Sequence, residues 1–104
     1  MMRKTRNKIQ ITKDVLQSID SEGSVYRHVL EKANLNPAVG KKYLKNMLKC
    51  RLVRYEERFE GRRKSIIYYK TKEGNNFIEL YSMYEQLLKD AEKIKGKMEE
   101  ILSS

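Results

Sequence analysis

The stretch that decides the fold is SVYRHVLEKANLNPAVGKKYLKNMLK, residues 24–49. Its first half repeats apolar residues at helical spacing, so that Val25, Val29, Leu30 and Ala33 fall inward. Ser24 stands where a helix N-cap is expected. This half therefore predicts an amphipathic helix that begins after Ser24.

The second half begins with a tight break and continues as another helix. Asn36 is a strong N-cap, and Pro37 suits the first helical position because no backbone N–H is needed there. The helix is predicted from Pro37 to about Lys49. Its inward residues are expected to be Gly40 (as a close contact), Tyr43 or Leu44, Met47 and Leu48. Two helices joined by so short a break form a helix-turn-helix.

The flanking sequence extends this unit in both directions. An apolar stripe upstream predicts a helix over residues 8–19. Downstream, LVRYEERF (52–59) and SIIYYK (65–70) have the composition of two strands, and the residues between them form a turn with its tip at 60–63. A hairpin directly after a helix-turn-helix makes the arrangement a winged helix.

From about residue 72 to 102 the pattern is helical, and Thr71 can cap it. Apolar residues occupy the a and d positions of nearly four heptads. These seam residues are Phe77, Leu80, Tyr84, Leu87, Ala91, Ile94, Met98 and Ile101. A helix folded back on its own domain would explain the first two heptads only. We therefore expect a coiled coil with a second copy, and an antiparallel pair is slightly favoured.

The predicted fold class is mainly α with a small β-hairpin, a winged helix-turn-helix followed by a long coiled-coil helix. Three parts are expected: a basic flexible arm over 1–8, the winged domain over 9–71 and a dimerisation helix over 72–104. The 104 residues carry a net charge of +9. Residues 1–70 hold 18 Lys/Arg against 7 Asp/Glu, net +11, whereas residues 71–104 hold 5 against 7, net −2. This asymmetry indicates a polyanion-binding domain followed by a segment with another task.

The second helix of such a motif enters the major groove of DNA, and its outward residues meet bases and phosphates. The candidates on this helix are Asn36, Ala38, Val39, Lys41, Lys42, Lys45 and Asn46. Lysines neutralise phosphates, and Asn can bind an adenine edge, although a cap role for Asn36 is favoured. The hairpin adds Arg58, Arg62, Arg63 and Lys64, which can reach phosphates or a narrow minor groove.

Four short runs resemble a family of archaeal winged-helix regulators. They are Ala33-Asn34-Leu35, Lys41-Lys42-Tyr43-Leu44, Cys50-Arg51-Leu52-Val53 and Thr71-Lys72-Glu73-Gly74. The family includes small Sulfolobus chromatin-type proteins with an antiparallel coiled-coil dimer and winged-helix proteins of archaeal viruses. The resemblance implies a homodimer that binds double-stranded DNA as a regulator or nucleoid protein. Three features depart from the family pattern: Pro37 replaces a common aromatic, Gly40 an aliphatic, and Cys50-Arg51 the usual Lys-Gly helix end.

No catalytic, cofactor or metal site is predicted. His28 and Cys50 are the sole residues of their types, and no motif joins them as a nucleophile pair. The partners expected are double-stranded DNA and a second copy, in the cytoplasm at the nucleoid, with no small-molecule ligand. Two alternatives stay open: an architectural DNA-binding protein of low specificity, and a winged-helix module that binds proteins. RNA binding is less favoured because no aromatic stacking platform is evident.

Overall fold

The computed structural model describes residues 6–104. Its elements, in chain order, are α1 (Lys8–Gln17), β1 (Ser24–Val25), α2 (Tyr26–Ala33), α3 (Pro37–Lys49), β2 (Val53–Glu60), β3 (Arg63–Lys70) and α4 (Lys72–Ser103). The predicted fold class, a winged helix-turn-helix with a long last helix, is confirmed. None of the helices within residues 6–104 is long and apolar enough to span a bilayer.

The core lies between the three short helices and the base of the hairpin. Val15, Leu16 and Ile19 meet Val29 and Met47 there, and all five are almost fully buried. Aliphatic side chains buried in this way supply most of the stability of a domain this small. The core therefore fixes the angle between α2 and α3, which is the angle that presents α3 to a partner.

The start of α1 is tied to the end of α2 by Arg6. Its guanidinium donates to the carboxylate of Asp14 and to the carbonyl oxygens of Ala33 and Asn34, at 2.7–2.9 Å. Asn7 caps α1, since its side chain accepts from the backbone N–H of Gln10. Arg6 to Lys8 thus belong to the folded domain, which corrects the end of the expected arm. Residues 1–5 of that arm lie outside the described residues.

Asp14 is expected to make stability depend on pH in the acid range. Burial acts to raise its pKa, but hydrogen bonds from Lys13 and Arg6 outweigh burial, so the pKa lies below its ordinary value. The stabilisation is present above about pH 4, the ordinary pKa of an unfolded Asp, and is lost as the pH falls through the lower folded pKa.

Asp14→Asn should therefore lower the free energy of unfolding by about 1 kcal/mol at neutral pH. Urea unfolding measured across the pH range checks this, with Glu22→Gln, an exposed carboxylate elsewhere on the domain, as the control. The difference in the free energy of unfolding between wild type and Asp14→Asn should disappear in strong acid. A difference that stays constant across the pH range would contradict the ion-pair explanation.

Between α1 and α2 the structure departs from the sequence prediction. Ser24 is a strand residue whose hydroxyl accepts from the backbone N–H of Asp20, and Val25 occupies the N-cap position of α2 without a side-chain cap. Val25, expected inward, is exposed. The reason is β1, which pairs antiparallel with β3 to give the sheet order β1-β3-β2. Because side chains alternate along a strand, burying Ser24 turns Val25 outward.

α3 has the predicted bounds and cap. The Asn36 side chain accepts from the N–H of Val39 at 2.9 Å, and Leu44 and Met47 are buried as expected. Gly40 makes the predicted close contact, because a Cβ there would lie 1.9 Å from a methyl group of Leu30.

The end of α3 uses Arg51 where the family pattern has glycine. Arg51 takes the left-handed conformation, φ 62°. The N–H of Leu52 bonds the carbonyl of Met47, and the N–H of Arg51 bonds that of Leu48. This is the Schellman pattern that ends many helices. The departure at Cys50-Arg51 therefore leaves the geometry of the helix exit intact.

α4 is anchored to the domain by its first turns. Thr71 caps it, donating its hydroxyl proton to the carbonyl of Arg51 and accepting from the N–H of Gly74. Gly74 is buried directly against the backbone of Leu52, and Tyr81, one turn beyond Phe77, is the last buried residue of the helix. Beyond Tyr84 α4 extends away from its own domain, and the chain has a longest dimension of 72 Å.

Gly74→Ala should strongly destabilise the docking of α4. A Cβ at this position would lie 2.2 Å from the carbonyl oxygen of Leu52, and a backbone atom cannot yield as a flexible side chain can. We expect a loss of about 2–4 kcal/mol in the free energy of unfolding. Gly96→Ala is the control, since no atom lies within 4 Å of its Cβ; it should stabilise α4 by about 0.5–1 kcal/mol. Equal effects of the two substitutions in thermal unfolding would contradict this close contact.

Candidate nucleic-acid interface

One side of α3 is solvent-exposed and carries cations along its length. We call this side the basic face of α3; it consists of Ala38, Lys41, Lys42, Lys45, Asn46 and Lys49. The spacing of three and four residues keeps the side chains on a single stripe of the helix. Val39, a predicted contact residue, is half-buried and falls off this stripe. The basic face can meet a polyanion without any rearrangement of the core.

The basic face borders a groove of about 430 Å³ between α3 and the beginning of α1. Its lining residues are Lys8, Lys42, Tyr43, Lys45, Asn46 and Lys49. Four ammonium groups around one open groove create a strongly positive potential, which suits phosphate oxygens. Lys49 and Tyr43 were not among the predicted contact residues, and Lys8 was assigned to the arm. The spacing of Lys49 from Lys45 and Lys42 could have identified it.

The two asparagines predicted to bind bases differ in availability. The side-chain oxygen of Asn36 is engaged in the cap of α3, as its sequence position indicated. Asn46 is exposed on the basic face, nearly three turns further along. An amide already used in a cap cannot also form the paired hydrogen bonds that select adenine. Asn46 is therefore the remaining amide of the predicted pair that can read a base edge from α3.

The hairpin has two faces, and the predicted basic residues are divided between them. Directly paired residues share a face, so Arg58 lies on the outer face with Arg54 and Tyr69. The Arg54 guanidinium sits over the Tyr69 ring at 4.3 Å, and Arg58 donates to the Tyr69 hydroxyl at 2.6 Å. A hydrogen bond from Arg54 also holds the pKa of Glu56 below its ordinary value. The outer arginines are thus ordered by contacts within the hairpin.

Lys64 lies on the opposite face, where its ammonium pairs with Glu57 at 3.0 Å. Arg62 and Arg63 are at the turn, which Gly61 permits by its φ of 62°. The predicted wing residues therefore do not form one surface. Arg62 and Arg63 are at the tip, Lys64 faces the helical side, and Arg58 faces away from it.

A second surface, along α4, is apolar. Beyond Phe77, which is half-buried, the predicted seam residues are exposed, for example Leu87 at 67% and Ile94 at 59%. At its domain end the seam opens into an apolar groove of about 330 Å³ between α1 and α4. The groove is lined by Ile9, Phe77, Leu80, Tyr81 and Tyr84. Ile9 was predicted on the apolar face of the first helix but not as part of this groove, and Tyr81 was missed because it falls on neither an a nor a d position.

The comparisons with known proteins agree with this architecture. The family model for the winged helix-turn-helix matches residues 5–89. The chain therefore belongs to the winged helix-turn-helix family. Comparison with curated proteins found no sequence match.

Solved structures with this fold include DNA-binding proteins and transcription regulators. The chain is similar to Sso10a-2, a DNA-binding protein from Sulfolobus solfataricus, with 22% identity, a TM-score of 0.72, and coverage of 93% of this chain and 97% of that one. It is also similar to a PadR family transcription regulator from Clostridium difficile, with 15% identity, a TM-score of 0.70, and coverage of 78% and 92%. The resemblance to archaeal winged-helix regulators, first indicated by short motifs, is confirmed.

Proposed function

We propose that this chain is a homodimeric regulator that binds double-stranded DNA, with α3 in the major groove and the hairpin on the backbone or in the minor groove. The observation that carries the proposal is the basic face of α3, exposed on the helix that winged-helix proteins place in the groove. The adjoining lysine-lined groove supports phosphate contacts on the flank of the same helix. Such a protein would act on chromosomal DNA in the cytoplasm.

The proposed dimer is formed by α4. An isolated helix with an exposed apolar seam is unfavourable in water, and pairing with a second copy is the simplest way to bury that seam. In an antiparallel pair with Lys89 level with the two-fold axis, Leu87 packs beside the partner's Ala91 and Leu80 beside the partner's Met98. The C-terminal end of each helix then covers the apolar groove of the other subunit. In a parallel pair the two grooves would face each other and both winged domains would crowd at one end of the coil, so the antiparallel arrangement is favoured.

Cysteine cross-linking distinguishes the two arrangements, in a background where the exposed Cys50 is replaced by Ser. Leu80→Cys and Met98→Cys chains are prepared separately and then mixed, refolded together and oxidised. The antiparallel pair cross-links only in the mixture, between position 80 of one chain and 98 of the other. Cross-linking within each variant alone would instead indicate a parallel pair, because identical positions then face each other.

A second candidate, an architectural protein of low sequence specificity, is favoured by one observation. The Asn36 amide is engaged as a cap, so lysines dominate the groups that the basic face offers to DNA. Lysines on phosphates bind without regard to sequence. Selection of bound sequences from random duplex DNA decides between the candidates. A two-fold symmetric motif would support the regulator, and the absence of any motif would support the architectural protein.

Fluorescence anisotropy with a labelled duplex of about 30 base pairs, long enough for two half-sites, tests DNA binding itself. The affinity should fall steeply with salt, with a log–log slope of about −4 or steeper if the α3 lysines and the hairpin contact phosphates. Single-stranded DNA and double-stranded RNA of the same length serve as competitors. A flat salt response, or equal affinity for all three nucleic acids, would contradict the proposal.

A further inference from the structure

One face of the hairpin packs against the helices at its base. Further along, the same face carries exposed apolar side chains. We call this the helix-side face of the hairpin; its members are Val53, Tyr55, Glu57, Phe59, Lys64, Ile66, Tyr68 and Lys70. Val53, at the base, is 2% exposed, whereas Tyr55 is 51% and Phe59 67% exposed. The apolar face therefore continues beyond the core that its base covers, and it ends at Phe59 next to the tip.

An aromatic row connects this face with the beginning of α3. The Tyr26 hydroxyl donates to the carbonyl of Pro37, the first residue of α3, and Tyr26 and Tyr68 both pack against the edge of the core. The rings of Tyr68 and Tyr55 have centroids 6.4 Å apart. Ile66 and Phe59 follow toward the tip. The row thus starts where α3 would enter the groove and ends at the hairpin tip.

The charges around Phe59 restrict what can cover it. Residues 57–64 hold four cations, Arg58, Arg62, Arg63 and Lys64, against the two carboxylates of Glu57 and Glu60; Lys64 is paired with Glu57, so the excess positive charge lies on the arginines. Two identical tips would repel each other, so a second copy of the chain is a poor partner for this region. A polyanion with an apolar interior fits both features. Duplex DNA has that character, because phosphates line a minor groove whose walls are sugars and whose floor is stacked bases.

We propose that Phe59 is a wedge that enters the minor groove of bound DNA and partly unstacks one base step, while Arg62 and Arg63 hold the flanking phosphates. The inference rests on the proposed function, since it requires the chain to bind a duplex. It adds a contact residue, Phe59, and a preference for particular base steps, neither of which the basic face of α3 supplies. Flexible pyrimidine–purine steps such as TA unstack most easily, so they become the favoured sites for the wedge.

The test uses two duplexes of about 30 base pairs, one of alternating T and A and one a stiff A-tract. Each carries 2-aminopurine, whose fluorescence rises on unstacking, in place of a central adenine. Wild type should bind the alternating duplex more tightly and raise its fluorescence. Phe59→Ala should lower that affinity about tenfold and abolish the rise, and Phe59→Leu should restore most of both, since Leu also serves as a wedge.

The matched control is Val25→Ala, which removes an exposed apolar side chain from the opposite face of the same sheet and should leave both readouts unchanged. Circular dichroism checks that Phe59→Ala keeps its fold, as expected for a side chain that is 67% exposed. Unchanged affinity and fluorescence in Phe59→Ala, with wild type still binding in a salt-dependent manner, would overturn the wedge and leave the proposed function standing.

Two other outcomes also overturn the wedge. If wild type binds neither duplex, the proposed function fails together with it. If Phe59→Ala changes the oligomeric state in light scattering while DNA binding persists unaltered, the partner of this face is a second copy and not DNA.

Discussion

Lys41→Glu combined with Lys42→Glu is expected to reduce affinity for duplex DNA by at least about a hundredfold at moderate salt. Both lysines lie on the exposed basic face of α3, and neither belongs to the core. Their reversal removes two cations from the basic face and places two anions against phosphates. The fold should survive, because the substituted side chains are solvent-exposed.

Lys89→Glu combined with Lys93→Glu is the matched control, since it changes the net charge equally on the outer side of α4. Affinity measured by anisotropy should fall only modestly in the control, through the loss of long-range attraction. If both double variants lose the same affinity, binding depends on total charge and α3 has no special role. An unchanged affinity in Lys41→Glu/Lys42→Glu would remove α3 from the interface altogether.

Leu87→Asp combined with Ile94→Asp is expected to convert the protein into a monomer at concentrations where wild type is dimeric. Both side chains lie at d positions of the seam, and a carboxylate buried between two helices without a partner is strongly unfavourable. The dimer dissociation constant should rise by at least about a hundredfold. Each winged domain should stay folded, because its core does not include the end of α4.

Multi-angle light scattering measures the mass of the variant, and anisotropy measures its DNA affinity. Affinity for a duplex with two half-sites should fall about tenfold to a hundredfold as the two domains lose their linkage. Gln86→Asp with Lys93→Asp places the same two carboxylates on the outer side of α4 and should leave the dimer intact. A dimer that persists in Leu87→Asp/Ile94→Asp would place the interface elsewhere.

The local structure of the winged domain could be predicted wherever a backbone position, such as a helix cap, strongly favours one residue type. Asn36 and Pro37 marked the start of α3 to the residue, and Thr71 marked the cap of α4. The two-residue strand β1 was missed, because its pairing depends on β3, more than forty residues away in sequence. No local pattern around Ser24 and Val25 indicates such a long-range contact.

The candidate interface was predictable as a set of residues but not as a surface. Helical periodicity was enough to place the lysines of α3 on one exposed stripe. The division of Arg58 and Lys64 between opposite faces depends on the register of the hairpin. The sequence does not determine this register to within one residue, and a shift of one residue would move each side chain to the other face. The docking of Gly74 against Leu52 likewise requires knowing how α4 crosses the hairpin base.

In the proposed complex, α3 and the hairpin bind DNA and the end of α4 does not. Titration of ¹⁵N-labelled protein with a duplex tests it most directly, with the amide signals followed residue by residue. The backbone amides of Asn36, of residues 38–49 and of residues 58–64 are expected to shift as duplex is added, and those of 90–101 to stay in place. Shifts confined to α4, or no shift in α3 under conditions where the duplex is bound, would contradict it.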